Sequence, residues 1–357
     1  MEKKKAKEKS KRKMKMPEFI ILLVTAGALV VGGYYAKEYL NKKKPEENKS
    51  SEEVQNNTPV EPEKLKILDL DSKSRPYAVM INNVGTARPL QSGLQDAYII
   101  YELIVEGGIT RYLALFMDTT TERIGSIRSA RHYFLDYALE SDAVYVHHGQ
   151  SPQAQTDFSS LKVDRIVVDN SKTGWRDNSL KVASEHTLFT STAKLANGIG
   201  SKRMERNKDL LLDYSVKAID LSKMEGAKSA NNVSIEYSGS MKSSYEYDSE
   251  TGLYKRSVNG KAHKDYVTGN QYTFKNIITY QVQNNRVDSS DRQDLENVGS
   301  GTGYYITNGY AVPITWSKSS RSAATVYKYE STGEEIKVND GNTFIQIQPK
   351  NKKLDIS

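Results

Sequence analysis

Tyr98–Met117, YIIYELIVEGGITRYLALFM, decides how this chain is read. Two runs rich in β-branched and aromatic residues flank Gly107-Gly108 and predict a hairpin with strands over Tyr98–Val105 and Tyr112–Met117. With Gly107-Gly108 as a two-residue turn, Glu106 pairs with Ile109, Val105 with Thr110 and Ile104 with Arg111. Glu102, Ile104 and Glu106 then share one face, and Arg111 sits diagonal to both glutamates. That register predicts a Glu–Arg–Glu cluster. A carboxylate left uncompensated there would be a candidate general base or metal ligand.

After the hairpin, Ile124–Leu139 reads IGSIRSARHYFLDYAL. Ile127, Ala130, Phe134, Tyr137 and Ala138 recur at helical spacing, and Ser126 is the expected N-cap. Arg128 and Arg131 fall in the opening turns of this helix, where the backbone already carries partial positive charge. Two guanidiniums in that place require an anion, either a carboxylate of the protein or a bound ligand.

Further strands are expected over Tyr77–Ile81, Ala143–His147 and Arg165–Val168, and helices over Pro152–Leu161 and Thr190–Asn197. The alternation makes 67–214 an α/β or α+β domain. From 221 to 350 the chain is a run of strands with turn signals at Thr251-Gly252, Asn259-Gly260, Asn308-Gly309, Thr332-Gly333 and Asp340-Gly341, which predicts a β-rich domain. Tyr304, Tyr305, Tyr310 and Trp316 are candidates to stack on sugar rings, with packing as the plainer role.

In HHGQSP, from His147 to Pro152, Ser151 lacks the closing glycine of a nucleophile turn and reads as an N-cap before Pro152. His147 is a candidate catalytic residue at a strand-to-helix turn; the plainer reading is one core and one surface histidine. Trp175-Arg176-Asp177 and Glu185-His186 are later candidates. No phosphate-binding loop, HExxH or EF-hand pattern is present, and no cofactor or metal is implied.

The formal charge is +7, but Met1–Glu18 holds nine basic residues against three acidic ones and accounts for nearly all of it. The remainder is close to neutral and gives no electrostatic case for nucleic acid. Phe19–Ala36 is an uncharged apolar run, about 27 Å long as a helix and so able to span a hydrocarbon core. The basic excess before it puts the N-terminus in the cytoplasm and the rest outside. The rival, a cleaved signal peptide, has its best small-residue site at Ala26-Gly27-Ala28, inside the apolar run. The layout expected is a basic tail over 1–18, a single-pass anchor over 19–36 and a polar linker over 37–66. Cysteine is absent, which excludes disulfides, thiolate metal sites and lipid attachment through cysteine.

Arg75-Pro76-Tyr77-Ala78-Val79-Met80-Ile81-Asn82-Asn83, the run from Ala87 to Phe116, IGSIRSARHYF and HHGQSPQA closely resemble the YerB-like family. GYYITNGYAVPITWSK extends the resemblance into the later half. The family is a group of membrane-attached extracytoplasmic proteins of Gram-positive bacteria with two domains and no established biochemical activity. Its pattern falls on Arg88, Gln91, Glu102, Glu106, Gly107, Gly108, Arg111, Arg128, Arg131 and His147, and less fully on Arg176, Asp177 and His186. Two departures stand out: many relatives carry a lipid-bearing cysteine that this chain lacks, and Glu185 stands where the family usually has proline.

These readings lead to an envelope protein that binds an anionic or polar ligand through Arg88, Arg111, Arg128 and Arg131. A wall-polymer precursor, a lipid phosphate and an acidic partner protein are the classes considered. The alternative is a transferase or hydrolase of phosphorylated or glycosidic envelope material, with Glu102 or Glu106 as base.

Overall fold

The strands read from Tyr98–Met117 lie in the middle of an eleven-stranded mixed sheet. The computed structural model describes residues 65–357. The expected tail and anchor and nearly all of the linker lie outside the described residues. Among those described, no helix is long and apolar enough to cross a membrane.

In chain order the strands of this sheet are β1 (Tyr77–Asn82), β2 (Ile99–Ile104), β3 (Thr110–Phe116), β4 (Val144–His147), β5 (Arg165–Val167), β6 (Lys228–Ser229), β7 (Asn276–Val282), β8 (Gly299–Thr307), β9 (Tyr310–Lys318), β10 (Val326–Tyr329) and β11 (Thr343–Pro349). They lie side by side in the order β6-β9-β8-β7-β11-β2-β3-β1-β4-β5, and β10 also pairs with β9. The last long strand, β11, runs parallel to both β2 and β7 and so joins the two halves of the chain. The β-rich content of 221–350 is as expected. Its strands nonetheless share a sheet with those of 67–214, because β2 and β11 are buried along their whole length and each needs a neighbour on both edges.

A smaller sheet, built mainly from Asn232–Ser238, Met241–Asp248, Leu253–Val258 and the late strand Leu354–Ile356, packs on one face. Asn308-Gly309 has φ of +50° and +78°, the paired left-handed geometry of a tight hairpin turn, and it joins β8 to β9. The other face of the large sheet receives helix α1 (His132–Glu140). There Tyr137 lies 4.8 Å from Tyr101, and buried Glu140 binds Lys318 at 2.7 Å and the Tyr101 hydroxyl at 2.8 Å. Helix α2 (Pro152–Ser160) has Ser151 as its N-cap, accepting from the Ala154 N–H, and helix α3 is Thr192–Gly198.

Two expectations change. The connection between β2 and β3 is three residues, Glu106-Gly107-Gly108, closed by Val105 N–H donating to the Ile109 carbonyl. The register is therefore Ile104↔Thr110 and Leu103↔Arg111. A slip of one residue sends Glu102 and Arg111 to opposite faces, so the Glu–Arg–Glu cluster does not form. The helix expected from Ile127 begins only at His132, with Arg131 in the N-cap position in place of Ser126. The preceding backbone is drawn sideways into pairing. Ser126 C=O accepts from Asn82, while Ile127 and Arg128 N–H donate to Leu188 and Met80. These lateral bonds outweigh a local helix preference of a few tenths of a kcal/mol per residue.

Glu102, turned toward the smaller sheet, forms a salt bridge with Arg256 at 2.7 Å, and neither side chain is exposed. Its carboxylate also accepts from Thr110 at 2.6 Å, Ser243 at 2.9 Å and Gln346 at 3.0 Å. Arg256 donates in addition to Ser243, to the Tyr245 hydroxyl and to His263 Nδ1. Burial, followed by the Arg256 charge, holds His263 far below the usual histidine range. It is therefore neutral, accepting at Nδ1 and donating from Nε2 to Gln91. Arg256→Met should destabilise the protein by about 3–5 kcal/mol, because it leaves the Glu102 charge buried without its partner. Urea denaturation at neutral pH measures this, and an unchanged midpoint would contradict the buried pair.

Candidate functional site

The sequence motifs converge where β1 and β4 end and β3 begins. Asn82 closes β1 and lies opposite Arg111 of β3. The extended stretch before α1 crosses here, with Arg128 C=O accepting from the His148 N–H and Ala130 N–H donating to Gly149 C=O. Gly149 makes the turn from β4 to α2 at φ +75°, and a Cβ there would stand 2.9 Å from Ser129 Oγ. That contact and that φ explain the glycine in HHGQ.

Three of the four arginines gather here. Arg131 holds the Glu106 carboxylate in a two-pronged contact at 2.5 and 2.8 Å, and its third nitrogen donates to the Ala130 carbonyl. Arg111 is buried, donates to Ser129 C=O at 2.7 Å and reaches the same Glu106 only at 3.8 Å. Its Nε is buried without a partner, as is the Tyr145 hydroxyl. The Arg111 guanidinium is lowered to about 9 by burial and then by the Arg131 charge, with Glu106 opposing. It remains charged at neutral pH, so one carboxylate serves two guanidiniums. Arg128 pairs with exposed Glu185 at 2.8 Å. Arg88 is turned elsewhere, donating twice to Asn83 at 2.9 Å.

The candidate bases are held in other ways. Glu102 is enclosed in the Arg256 network. For Glu106, burial raises the carboxyl, but the Arg131 hydrogen bonds and the charges of Arg131 and Arg111 prevail and hold it below its usual 4.5. His147 is fully buried, donates from Nδ1 to Gly149 C=O at 2.8 Å and is lowered to about 4 by burial. His148 is exposed. Asn82 Nδ2 donates to His186 Nδ1 at 2.9 Å, which links His186 to the site. Asp177 belongs to Arg123, at 2.9 Å, and Arg176 to the Ser184 carbonyl. Of the candidate sugar-stacking rings, Tyr305 and Trp316 are packed inside, Tyr304 is half-buried and Tyr310 is exposed. Among the described residues, no three acidic or histidine side chains converge as a metal site.

Beside Arg131 opens a cleft of about 700 Å³, lined by the first residues of α1 and α2, by Val287, Asp288 and Arg292 and by the strand Gln293–Leu295. Arg321 crosses it, donating to Asp136 at 2.6 Å, Asp157 at 2.7 Å and the His132 carbonyl at 2.9 Å. Burial raises Asp136 to about 6 even against Arg321. Arg321, Arg256 and His263 escaped sequence reading because nothing near them in the chain marks them. Arg321 meets Asp136 and Asp157, Arg256 meets Glu102 and His263 meets Gln91, each more than 150 residues away in the chain.

A mixed sheet, a smaller sheet stacked on one of its faces and an arginine-bearing cleft at the strand ends define a two-segment β-rich protein with few helices. Residues 65–205 match the family model described as "Protein of unknown function (DUF3048) N-terminal domain", and residues 233–345 match its C-terminal counterpart. The chain is 30% identical over 287 residues to "Putative lipoprotein YerB" of Bacillus subtilis (strain 168), covering 78% of this chain and 82% of that one. The crystal structure of the Bacillus subtilis YerB protein superposes with a TM-score of 0.69 at 27% identity, over 82% of this chain and 99% of that chain. The chain belongs to this YerB-like family.

The Glu106 pairing has a defined acid limit. A carboxyl lowered in the folded state stabilises above its unfolded value, about 4.3, and the gain is lost as pH falls through the folded value. The urea-midpoint difference between wild type and Glu106→Gln should therefore be largest at neutral pH and shrink below about pH 4. A difference independent of pH would show that Glu106 is not ion-paired in solution.

Proposed function

We propose that this is a membrane-anchored envelope protein whose outer part binds an anionic group through Arg111, Arg128 and Arg131. The observation that carries this reading is Arg111, a buried guanidinium with an unpartnered Nε, whose nearest carboxylate is 3.8 Å away and already held by Arg131. A phosphate or carboxylate oxygen supplies the missing acceptor and charge. A wall-polymer precursor, a lipid phosphate and an acidic partner surface share that chemistry. Arg88, bound to Asn83, supports the neighbouring loop. Binding is favoured over group transfer because Glu102 is shut in, Glu106 is a weakened base and His147 is buried and neutral.

Inorganic phosphate is the probe. In thermal melts of the full chain, phosphate should raise the wild-type midpoint beyond chloride of equal ionic strength, following RT ln(1 + [L]/Kd), about 2.7 kcal/mol at a hundredfold excess over Kd. Arg128→Gln with Arg131→Gln should abolish that response. A wild type indifferent to phosphate would make the arginines architecture alone.

The address follows from Phe19–Ala36 and the basic run before it. The lipoprotein name of the Bacillus relative supports an envelope location, and the absence of cysteine here calls for a helix in place of a lipid. A reporter fused after Ser357 should be active outside the cell, and protease added to protoplasts should remove residues 65–357. Full-length protein in the medium, or a mature N-terminus just after Ala28, would overturn the anchor.

A further inference from the structure

The turn that carries Glu106 is pinned. Gly107 N–H donates to the Asp291 carboxylate at 2.6 Å, and the Gly108 carbonyl accepts from the Ser238 hydroxyl at 2.7 Å. The Glu106 carboxylate is therefore a fixed part of the arginine site. It engages Arg131 through Nε and Nη2, while Nη1 donates to the Ala130 carbonyl. Of the five N–H groups of a guanidinium, three are thus engaged and two remain to receive an oxyanion with Glu106 in place. The approach is open, because Arg131 lines the cleft of about 700 Å³ and the Glu106 side chain is 22% exposed.

The charges set what can enter. Arg111 lies within reach of the charges of both Arg131 and Arg128, so the three guanidiniums act together. They face two carboxylates, Glu106 and Glu185, which leaves one positive charge uncompensated. Away from Arg131 the cleft supplies no further positive charge. Asp288 is paired with Arg292 and Asp294 with His132, while Asp136 and Asp157 share Arg321. Glu296 also lines the cleft, is exposed and forms no ion pair among the described residues. A second negative charge on a ligand would find no counter-charge, and a charge withdrawn from water without a partner is costly.

We propose that Glu106 is a specificity-determining residue, which fits the site to a singly charged oxyanion, a phosphodiester or a carboxylate, and against the dianion of a phosphate monoester. This rests on the anion-binding reading of the same arginines. A diester or carboxylate matches the one uncompensated positive charge. A monoester brings its second charge beside the Glu106 carboxylate, where like charges repel. Inorganic phosphate, present in both forms at neutral pH, binds as the singly charged one.

Thermal melts of the full chain, each salt at equal ionic strength, test this at about pH 7.5, where phosphate monoesters are dianions. Dimethyl phosphate should raise the wild-type midpoint at lower concentration than monomethyl phosphate. Glu106→Gln removes the negative charge at constant shape and should shift that preference about tenfold toward monomethyl phosphate. Acetate is the third salt. A response to dimethyl phosphate above acetate assigns the ligand charge to a phosphodiester, and the reverse assigns it to a carboxylate; both bear out the proposal. If Glu106→Gln fails to fold, judged by its own melt without added anion, the wild-type preference decides alone. A wild type that prefers monomethyl phosphate, or a preference unmoved by Glu106→Gln, would overturn the proposal. If Arg128→Gln with Arg131→Gln still abolishes the response in that case, the arginine site stands and only the role of Glu106 falls. A wild type indifferent to all three salts would remove the site and this proposal together.

Discussion

Glu102 and Arg256 meet at 2.7 Å with neither side chain touching solvent, and the assembly of the described residues depends on that contact. Charges removed from water are tolerated only when paired and fully hydrogen-bonded. Here the remaining oxygen lone pairs and N–H groups are taken by Thr110, Ser243, Gln346, Tyr245 and His263. Those residues come from the large sheet, the smaller sheet and the loop beyond it. The pair therefore closes only when strands from both sequence segments are in register, which makes it a check on assembly as well as a contact.

A second consequence follows through His263 and Gln91. Gln91 accepts from His263 and donates to the Asn82 carbonyl, and Asn82 lies opposite Arg111. The buried network thus reaches the end of β1 where the arginines gather. The site is supported from below by the contacts that hold the sheets together, so its geometry is set by the fold and not by its own loop.

The arginines illustrate how a correct question can have a different setting. Their local density in the chain pointed to an anion, and Glu106 is one such anion for Arg131. The helix dipole has no part in placing Arg128, because the backbone there pairs with β1 and with Leu188 before any helix begins. The same competition between local preference and lateral pairing explains the hairpin: lengthening the turn by one residue reversed the face of every side chain beyond it.

Sequence alone determined the five strands placed between Tyr77 and Val168, the β-rich character of 221–350, two of the three helix positions, the turn at Asn308-Gly309, the Ser151 cap and the family, since each depends on residues close together in the chain. Periodicity, capping and turn chemistry are local signals, and they survive folding wherever no neighbour overrides them. The tertiary structure alone decided the partner of Glu102, the insertion of β11 between β2 and β7, the enclosure of His147 and the crossing of the cleft by Arg321. Each of these joins residues that the chain keeps far apart, or turns on a one-residue register, and no pattern of neighbouring side chains encodes a distance across a sheet.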